Sequence, residues 1–370
     1  MSNIKLSNAK EIGKQPSVSV VITNFNYGRF LAHAVNSALE QREANVEVVV
    51  VDDGSTDDSR QVIASFAGRV TPVLMSNGGQ GAAFNAGWRA ATGEVIMFLD
   101  ADDMLLPRIA ATVARLFAAR PELSRIQFPL EVLDEAGRWT GACIPAPHRQ
   151  LFSGDAVPAL VSCPDDIVWQ PTSGNAFSRQ CLDEILPMPE QQYRICADYY
   201  LSNLAPLHGP VVALSEAGGG YRVHGLNRHF SPVEHIDKIR ENVWRTHHTH
   251  AALIEECRRL GIVGLPARPE MVRSVTATAN RLLSYRLDRR RHPLPQDRRS
   301  GLLRLGLRSA RARRDVSLTR RVAFGLWFVV AAIAPRRALP LVARPFVVID
   351  TDQPASHPVT STTRWAPDCE

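Results

Sequence analysis

Residues 95–103 read Val-Ile-Met-Phe-Leu-Asp-Ala-Asp-Asp: five apolar residues of strand length run straight into a cluster of carboxylates. A strand that is apolar at every position, not at alternate ones, is buried on both faces. The same signal recurs upstream. Val18 to Thr23 (VSVVIT) and Val46 to Val51 (VEVVVV) are near-continuous apolar runs, and Val70 to Met75 reads as a further strand. Between them Phe30, Leu31, Ala34, Val35, Ala38 and Leu39 recur at helical spacing. Val62, Ile63 and Phe66 mark a second helix, with Thr56 or Asp57 as its candidate cap. Asn77-Gly78-Gly79 turns into a third helix through Ala90. This alternation predicts an α/β fold with a mostly parallel, Rossmann-like central sheet and helices on both faces. Ligands of such sheets bind beyond the carboxyl ends of the strands. Three polar clusters fall at such ends: Thr23-Asn24, Asp52-Asp53 and Asp100 to Asp103.

Composition agrees with a globular α/β chain. The 370 residues are 45% apolar and 22% charged, which excludes wholesale disorder and a fibrous protein. No run of about 20 apolar residues exists, which excludes a polytopic membrane protein. The polar tail 1–16 has no apolar signal region, so a cytoplasmic location is expected. The expected division is that tail, an α/β domain over 17–235, a helical Arg-rich extension over 236–349 and a polar tail over 350–370. The α/β domain divides further, into a nucleotide half at about 17–110 and an acceptor half at about 111–235. The net charge of +6 is uneven: residues 281–321 hold fourteen Arg, no Lys and three Asp. Such a segment points to a phosphate-rich or anionic-lipid partner. Six cysteines include no CxxC pair, so a zinc ribbon is not expected and free thiols are.

Asp100-Ala101-Asp102 places two carboxylates two residues apart at a strand end, where both can approach one hard divalent cation. The same pair also reads as a solvated turn capping the helix after Pro107. Asp53 closes the neighbouring strand, where an acidic side chain can accept bonds from a base or ribose. The stretch Asn77 to Gly87 combines glycines, small residues and amides, which suits close backbone approach to a ligand or a tight turn against the sheet.

Taken in order, Val20 to Asn26 (VVITNFN), Val50 to Asp57 (VVDDGSTD), Asn77 to Gly87 and Phe98 to Asp103 (FLDADD) resemble a family 2 glycosyltransferase of the non-processive bacterial type. The resemblance is strong over about residues 17–110 and looser to about 230. It implies a GT-A fold and an inverting transfer from a nucleoside-diphosphate sugar, with Mn²⁺ or Mg²⁺ as cofactor. It further implies that Thr23, Asn24, Asp53, Asn77, Gly78, Gly81, Asn85, Asp100, Ala101 and Asp102 line the nucleotide-sugar site, with Asp52 supporting that loop. Asp103, Gly174 and Asn175 would lie on the acceptor side. Asp198 falls where the family keeps its general base, although Ala197 stands before it where many relatives have Glu. Tyr221 to Asn227 resembles the family's flexible loop, so Arg222 would meet phosphate and His224 would join Asp102 on the metal.

No Gln-x-x-Arg-Trp motif is present, since Ser361 stands three residues before the Arg364-Trp365 pair, so single-sugar transfer is expected. The acceptor expected is a saccharide or lipid-linked saccharide in surface-polysaccharide or glycolipid synthesis. Val322 to Ala334 is too short to span a bilayer as a helix, and reads as buried or interfacial. With the basic segment before it and Trp327 within it, this suggests a peripheral protein on the cytoplasmic face of the inner membrane. Nucleic acid is not expected, for no aromatic-interleaved basic module is visible. Among rival readings, a sugar nucleotidyltransferase lacks its basic Gly-rich loop after the first strand, and a P-loop enzyme lacks its phosphate loop. A non-catalytic sugar-nucleotide or glycan-binding protein on the same fold is the alternative.

Overall fold

Register brings the carboxylate-tipped strands together. In the computed structural model, which describes residues 15–225, 227, 236–313, 315–339 and 341–343, β1 (Val18–Asn24) is followed by α1 (Gly28–Leu39), β2 (Val46–Asp53), α2 (Ser59–Ser65), β3 (Thr71–Met75), α3 (Gln80–Ala90) and β4 (Val95–Asp100). Strand β1 pairs in parallel with β2 on one side and β4 on the other, so Asn24 lies opposite Asp52 and Thr23 opposite Asp100. Strand β3 adds to β2 in parallel and is the exposed edge. Every residue of β1 is buried, as a strand covered by helices on both faces must be.

The chain then makes β5 (Met104–Leu105), α4 (Ile109–Ala119), β6 (Arg125–Gln127), β7 (Leu130–Leu133), β8 (Trp139–Ile144), α5 (Val157–Ser162), β9 (Asn175–Ser178), α6 (Arg179–Ile185), α7 (Ala197–Leu204), β10 (Val211–Ala213) and β11 (Gly219–Arg222). The main sheet has seven strands in the order β10-β6-β9-β4-β1-β2-β3, with β9 antiparallel to both neighbours. A second sheet, β5-β11-β7-β8, stands over the carboxyl end of β4. Two apolar layers enclose the main sheet. Leu31, Ala34, Val35 and Val113 pack on one face, while Phe84, Leu182, Leu201 and Leu204 pack on the other.

The extension is helical: α8 (Ile236–Arg259), α9 (Val275–Leu287), α10 (Arg299–Ala312) and α11 (Leu318–Ile333). Helix α8 is tied to the α/β part. Its Leu253 and Cys257 share an apolar cluster with Ala156, Leu160 and Leu207, and its Thr249 hydroxyl lies 2.9 Å from the Tyr193 hydroxyl. Helices α9 to α11 form a separate core around Leu282, Leu302, Phe324 and Phe328. A Cβ on Gly306 would overlap the Phe328 ring, so α10 and α11 approach closely at that point.

Part of the arginine run is structural. The Arg281 guanidinium donates to Asp297 at 2.9 Å, and Arg286 donates to the Ala331 carbonyl at 2.9 Å, closing the carboxyl end of α11. Helix α11 itself has two faces. Phe324, Phe328, Ala331 and Ala332 are buried, while Leu318, Val322, Leu326, Val330 and Ile333 form an outward row in which Leu326 is 62% and Ile333 72% exposed. Trp327 stays with the core, its indole N–H donating to the Val342 carbonyl at 2.7 Å. No helix among the described residues is long and apolar enough to cross a membrane. The tail from 350, with Arg364-Trp365, lies outside the described residues.

Candidate active site

The site is assembled at the carboxyl ends of β1, β2 and β4. The first wall is the Asn77–Gln80 turn before α3. The Asp53 carboxylate accepts from the backbone N–H groups of Gly78 at 2.6 Å and Gly79 at 2.8 Å. Burial raises the pKa of Asp53, while those two N–H groups and Arg194 work the other way. Asn77 donates to the Asp53 carbonyl at 3.1 Å and accepts from Arg194 at 2.6 Å. Gly79 has φ +87° and lies where a Cβ would meet the Arg194 backbone at 2.6 Å. Gly81 donates to the Tyr193 carbonyl at 2.8 Å. These glycines therefore let the turn pack on residues 193–194, as well as opening its backbone.

The floor is the Asp100-Ala101-Asp102-Asp103 segment. Asn24 donates to Asp52 at 3.0 Å and to Ser55 at 3.1 Å, and the Thr23 carbonyl accepts from the Ala101 N–H at 3.2 Å. Thr23 and Asn24 thus fix the loops on either side. The Asp100 carboxylate accepts from Gln80 at 3.3 Å. Burial, then the charges of Asp102 and Asp198, push the Asp100 carboxyl up to about 7. Asp102 faces His224, whose Nε2 is 2.9 Å from its Oδ2. The His224 ring is held by Phe30 and Tyr27, with centroids 4.8 and 5.4 Å away.

Asp198 sits in the first turn of α7, just after Cys196, which adopts a left-handed φ of 55°. The Ala197 N–H donates to Gln80 Oε1 at 2.9 Å, so one amide side chain ties the start of α7 to the floor at Asp100. Arg245 of α8 lies over the Tyr199 ring at 5.3 Å. Burial works against its charge, but Cys196, Tyr199 and Asp198 together hold its pKa above the ordinary value.

Several residues expected at the site face inward instead. Asp103 is buried, accepting from the Ser173 hydroxyl at 2.6 Å and the Arg222 N–H at 2.9 Å, and burial followed by its acidic neighbours raises its pKa well above normal. The Arg222 guanidinium is also buried. It donates to the Asp102 carbonyl at 2.8 Å and the Glu135 carbonyl at 3.1 Å, bracing the floor from beneath. Asn85 donates to the Met188 carbonyl at 2.9 Å. Asn175 accepts from Arg125 at 2.8 Å, and Gly174 packs where a Cβ would meet Gln170 at 2.9 Å. Asn85, Asn175 and Gly174 shape the scaffold around the site. Sequence reading passed over Gln80 as an individual contact, along with Ser173, Arg194 and Arg245. Gln80 and Ser173 flank Gly81 and Gly174, which the sequence singles out, whereas nothing in the sequence near Arg194 or Arg245 sets them apart.

For a cation, Asp102 and His224 offer one carboxylate oxygen and one imidazole nitrogen in mutual contact, beside further carboxylates. No cluster of three or more such side chains among the described residues could hold a metal alone. The donor set fits a cation that takes its remaining ligands from a diphosphate.

Residues 19–130 match the profile of glycosyl transferase family 2. Over 218 residues the chain is 36% identical to an uncharacterized glycosyltransferase of Nostoc sp., covering 58% of this chain and 67% of that one. It is 34% identical over 92 residues to an uncharacterized glycosyltransferase of Rickettsia prowazekii, covering 25% of this chain and 29% of that one. Over 120 residues it is 38% identical to the succinoglycan biosynthesis protein ExoO of Rhizobium meliloti, covering 32% and 34% of the two chains. Among solved structures, S. aureus TarS 1-349 in complex with UDP-GlcNAc superposes with a TM-score of 0.52 at 16% identity, over 89% of this chain and 92% of that one. That likeness is one of fold.

Proposed function

Because the chain belongs to glycosyl transferase family 2, we propose that it moves a single sugar from a nucleoside-diphosphate sugar, UDP-linked, to a hydroxyl of a saccharide or lipid-linked saccharide. The observation that supports this reading is the Gln80 side chain, which bonds the Asp100 carboxylate at 3.3 Å and the N–H of Ala197, the residue before Asp198, at 2.9 Å. The UDP-GlcNAc bound by TarS supports a uridine donor, and the role of ExoO in succinoglycan biosynthesis supports a polysaccharide precursor as acceptor.

In this reading the turn held by Asp53 takes the base and ribose. Asp102 and His224 hold a divalent cation, Mn²⁺ or Mg²⁺, which when bound offsets charge on the departing diphosphate. Asp198 accepts the proton of the attacking acceptor hydroxyl, on the face of the sugar opposite the leaving group, so the anomeric configuration inverts. Gln80 keeps Asp198 and Asp100 in fixed relation. Arg222 and Asp103 hold the floor in place. The experiment is donor binding and slow hydrolysis across a panel of nucleotide sugars, with Mn²⁺ and with chelator. Cation-dependent binding of one donor with turnover supports the reading. Binding without turnover on any acceptor would favour a sugar-nucleotide-binding protein, and no binding at all would remove the reading.

We further propose that the protein works at an anionic membrane surface, through the outward row of α11. At 1.5 Å per residue its 16 residues span about 24 Å, short of the ~30 Å hydrocarbon core, so it would lie in the interface. Arg320 and Arg321 at its start and Arg336 and Arg337 beyond its end supply the cationic flanks that an anionic headgroup layer attracts.

A further inference from the structure

A second cleft opens between the α/β part and the extension. It has a volume of 790 Å³, within the usual size of small-molecule sites, and none of the donor-side residues lines it. One wall is the segment from Ser162 to Val168. The other is Arg273, just before α9, with Arg308, Arg311 and Arg313 from the end of α10.

The charges are unbalanced. Arg313 is engaged by Asp166 at 2.9 Å and Asp315 at 2.7 Å. Arg273, Arg308 and Arg311 have no carboxylate partner among the described residues. Arg308 and Arg311 are three apart on one helix, so they share a face. The two carboxylates that line the cleft, Asp166 and Asp315, both face Arg313. Burial pushes the Asp166 carboxyl up to about 7, and burial pushes the Cys163 thiol up to about 12, so the thiol stays neutral. Three guanidiniums thus line one open cleft without carboxylate partners among the described residues, and guanidinium forks suit phosphate oxygens.

The cleft also connects to Asp198. Asp165, beside Asp166, accepts from the Tyr199 hydroxyl and lies 3.0 Å from His250 Nε2. Tyr199 follows Asp198 directly. A chain of contacts thus runs from the residue beside the cleft wall at Asp166 to the first turn of α7.

We propose that this cleft binds a phosphate or diphosphate group carried by the acceptor, through Arg273, Arg308 and Arg311, so that the acceptor is a phosphorylated or diphosphate-linked saccharide. The acceptor assignment rests on the glycosyl-transfer reading above. The anion site does not.

The test titrates inorganic pyrophosphate into the full chain by calorimetry, with chelator present so that no cation carries it to the donor site. The wild type is compared with the triple variant Arg273→Gln, Arg308→Gln, Arg311→Gln. The expected result is saturable binding that weakens by about tenfold or more in the variant, because charge-assisted bonds are lost. Cation-dependent donor binding should be unchanged in the variant, which also shows that it is folded. No pyrophosphate binding, or equal binding in both proteins, would overturn the site. A parallel arm measures sedimentation with vesicles containing anionic lipid. If the variant loses vesicle binding while free pyrophosphate never binds, the arginines serve a headgroup layer and the proposal fails. If pyrophosphate binds at the arginines but no nucleotide sugar binds anywhere, the anion site stands and the acceptor assignment falls.

Discussion

The imidazole Nε2 of His224 lies 2.9 Å from Oδ2 of Asp102, although 122 residues separate them. Asp102 follows the end of a central strand, and His224 follows the last strand of the second sheet. Sheet pairing between β5 and β11 closes that gap, and the Phe30 ring, tilted against the imidazole at 4.8 Å, helps to hold it. If the pair holds the cation, Asp102→Ala and His224→Ala should each weaken donor binding in Mn²⁺ by at least about tenfold. With chelator, both variants should match the wild type. Calorimetry in the two conditions checks this, and equal loss in both would remove the cation from the account.

Asp198→Asn keeps the size of the side chain and removes its basicity. Turnover should fall by about 10²–10⁴-fold while donor affinity is kept. Steady-state rates beside equilibrium binding separate the two effects. A variant retaining full turnover would transfer the role of base elsewhere.

Ser173 accepts from the Asp100 N–H at 3.1 Å and donates to Asp103 at 2.6 Å. Ser173→Ala leaves both groups without that partner inside the protein, and should cost about 1–3 kcal/mol of stability. Urea denaturation of the full chain measures it. An unchanged midpoint would show that the floor does not depend on this bridge.

Gly79 combines φ +87° with contact to the Arg194 backbone. Gly79→Ala should destabilise the chain by more than about 1 kcal/mol and weaken donor binding, because the turn that Asp53 holds must shift. Gly68 also has positive φ but meets nothing within 4 Å, so Gly68→Ala should leave donor binding intact. Comparing the two isolates the close approach from the backbone conformation.

Leu326→Glu with Ile333→Glu places two charges on the outward row of α11 and leaves Phe324 and Phe328 in the core. Sedimentation with anionic vesicles should be lost while thermal stability is kept. Retained sedimentation would exclude this face as the contact.

The sheet was legible because Val20, Val50 and Phe98 stand in apolar runs that only a doubly covered strand accommodates. Parallel register then placed Asn24, Asp53 and Asp100 at one edge without further assumptions. Strand β9 was harder to see. Its four residues, Asn175 to Ser178, carry little pattern, and their place beside β4 comes from tertiary pairing. The polar residues divide for a related reason. Arg222 looks in sequence like a phosphate ligand, and Asn175 like an acceptor contact. Their partners Asp102, Glu135 and Arg125 lie far away along the chain, so spacing alone does not show that these side chains are already satisfied. Gln80 is the converse. It sits in a segment noted for its glycines, yet its amide joins Asp100 to the start of α7.

Helix α8 brings Arg245 against Tyr199 and Thr249 against Tyr193, and buries Leu253 beside Leu160 and Leu207. The carboxyl-terminal half is thus no interchangeable cassette. A recombinant that joined residues before 236 to a foreign tail would keep the main sheet but lose the guanidinium that lies over Tyr199, the residue next to Asp198. Exchange between relatives would preserve that pairing only if the junction fell beyond α8, so α8 and the strands before it should be inherited as one unit.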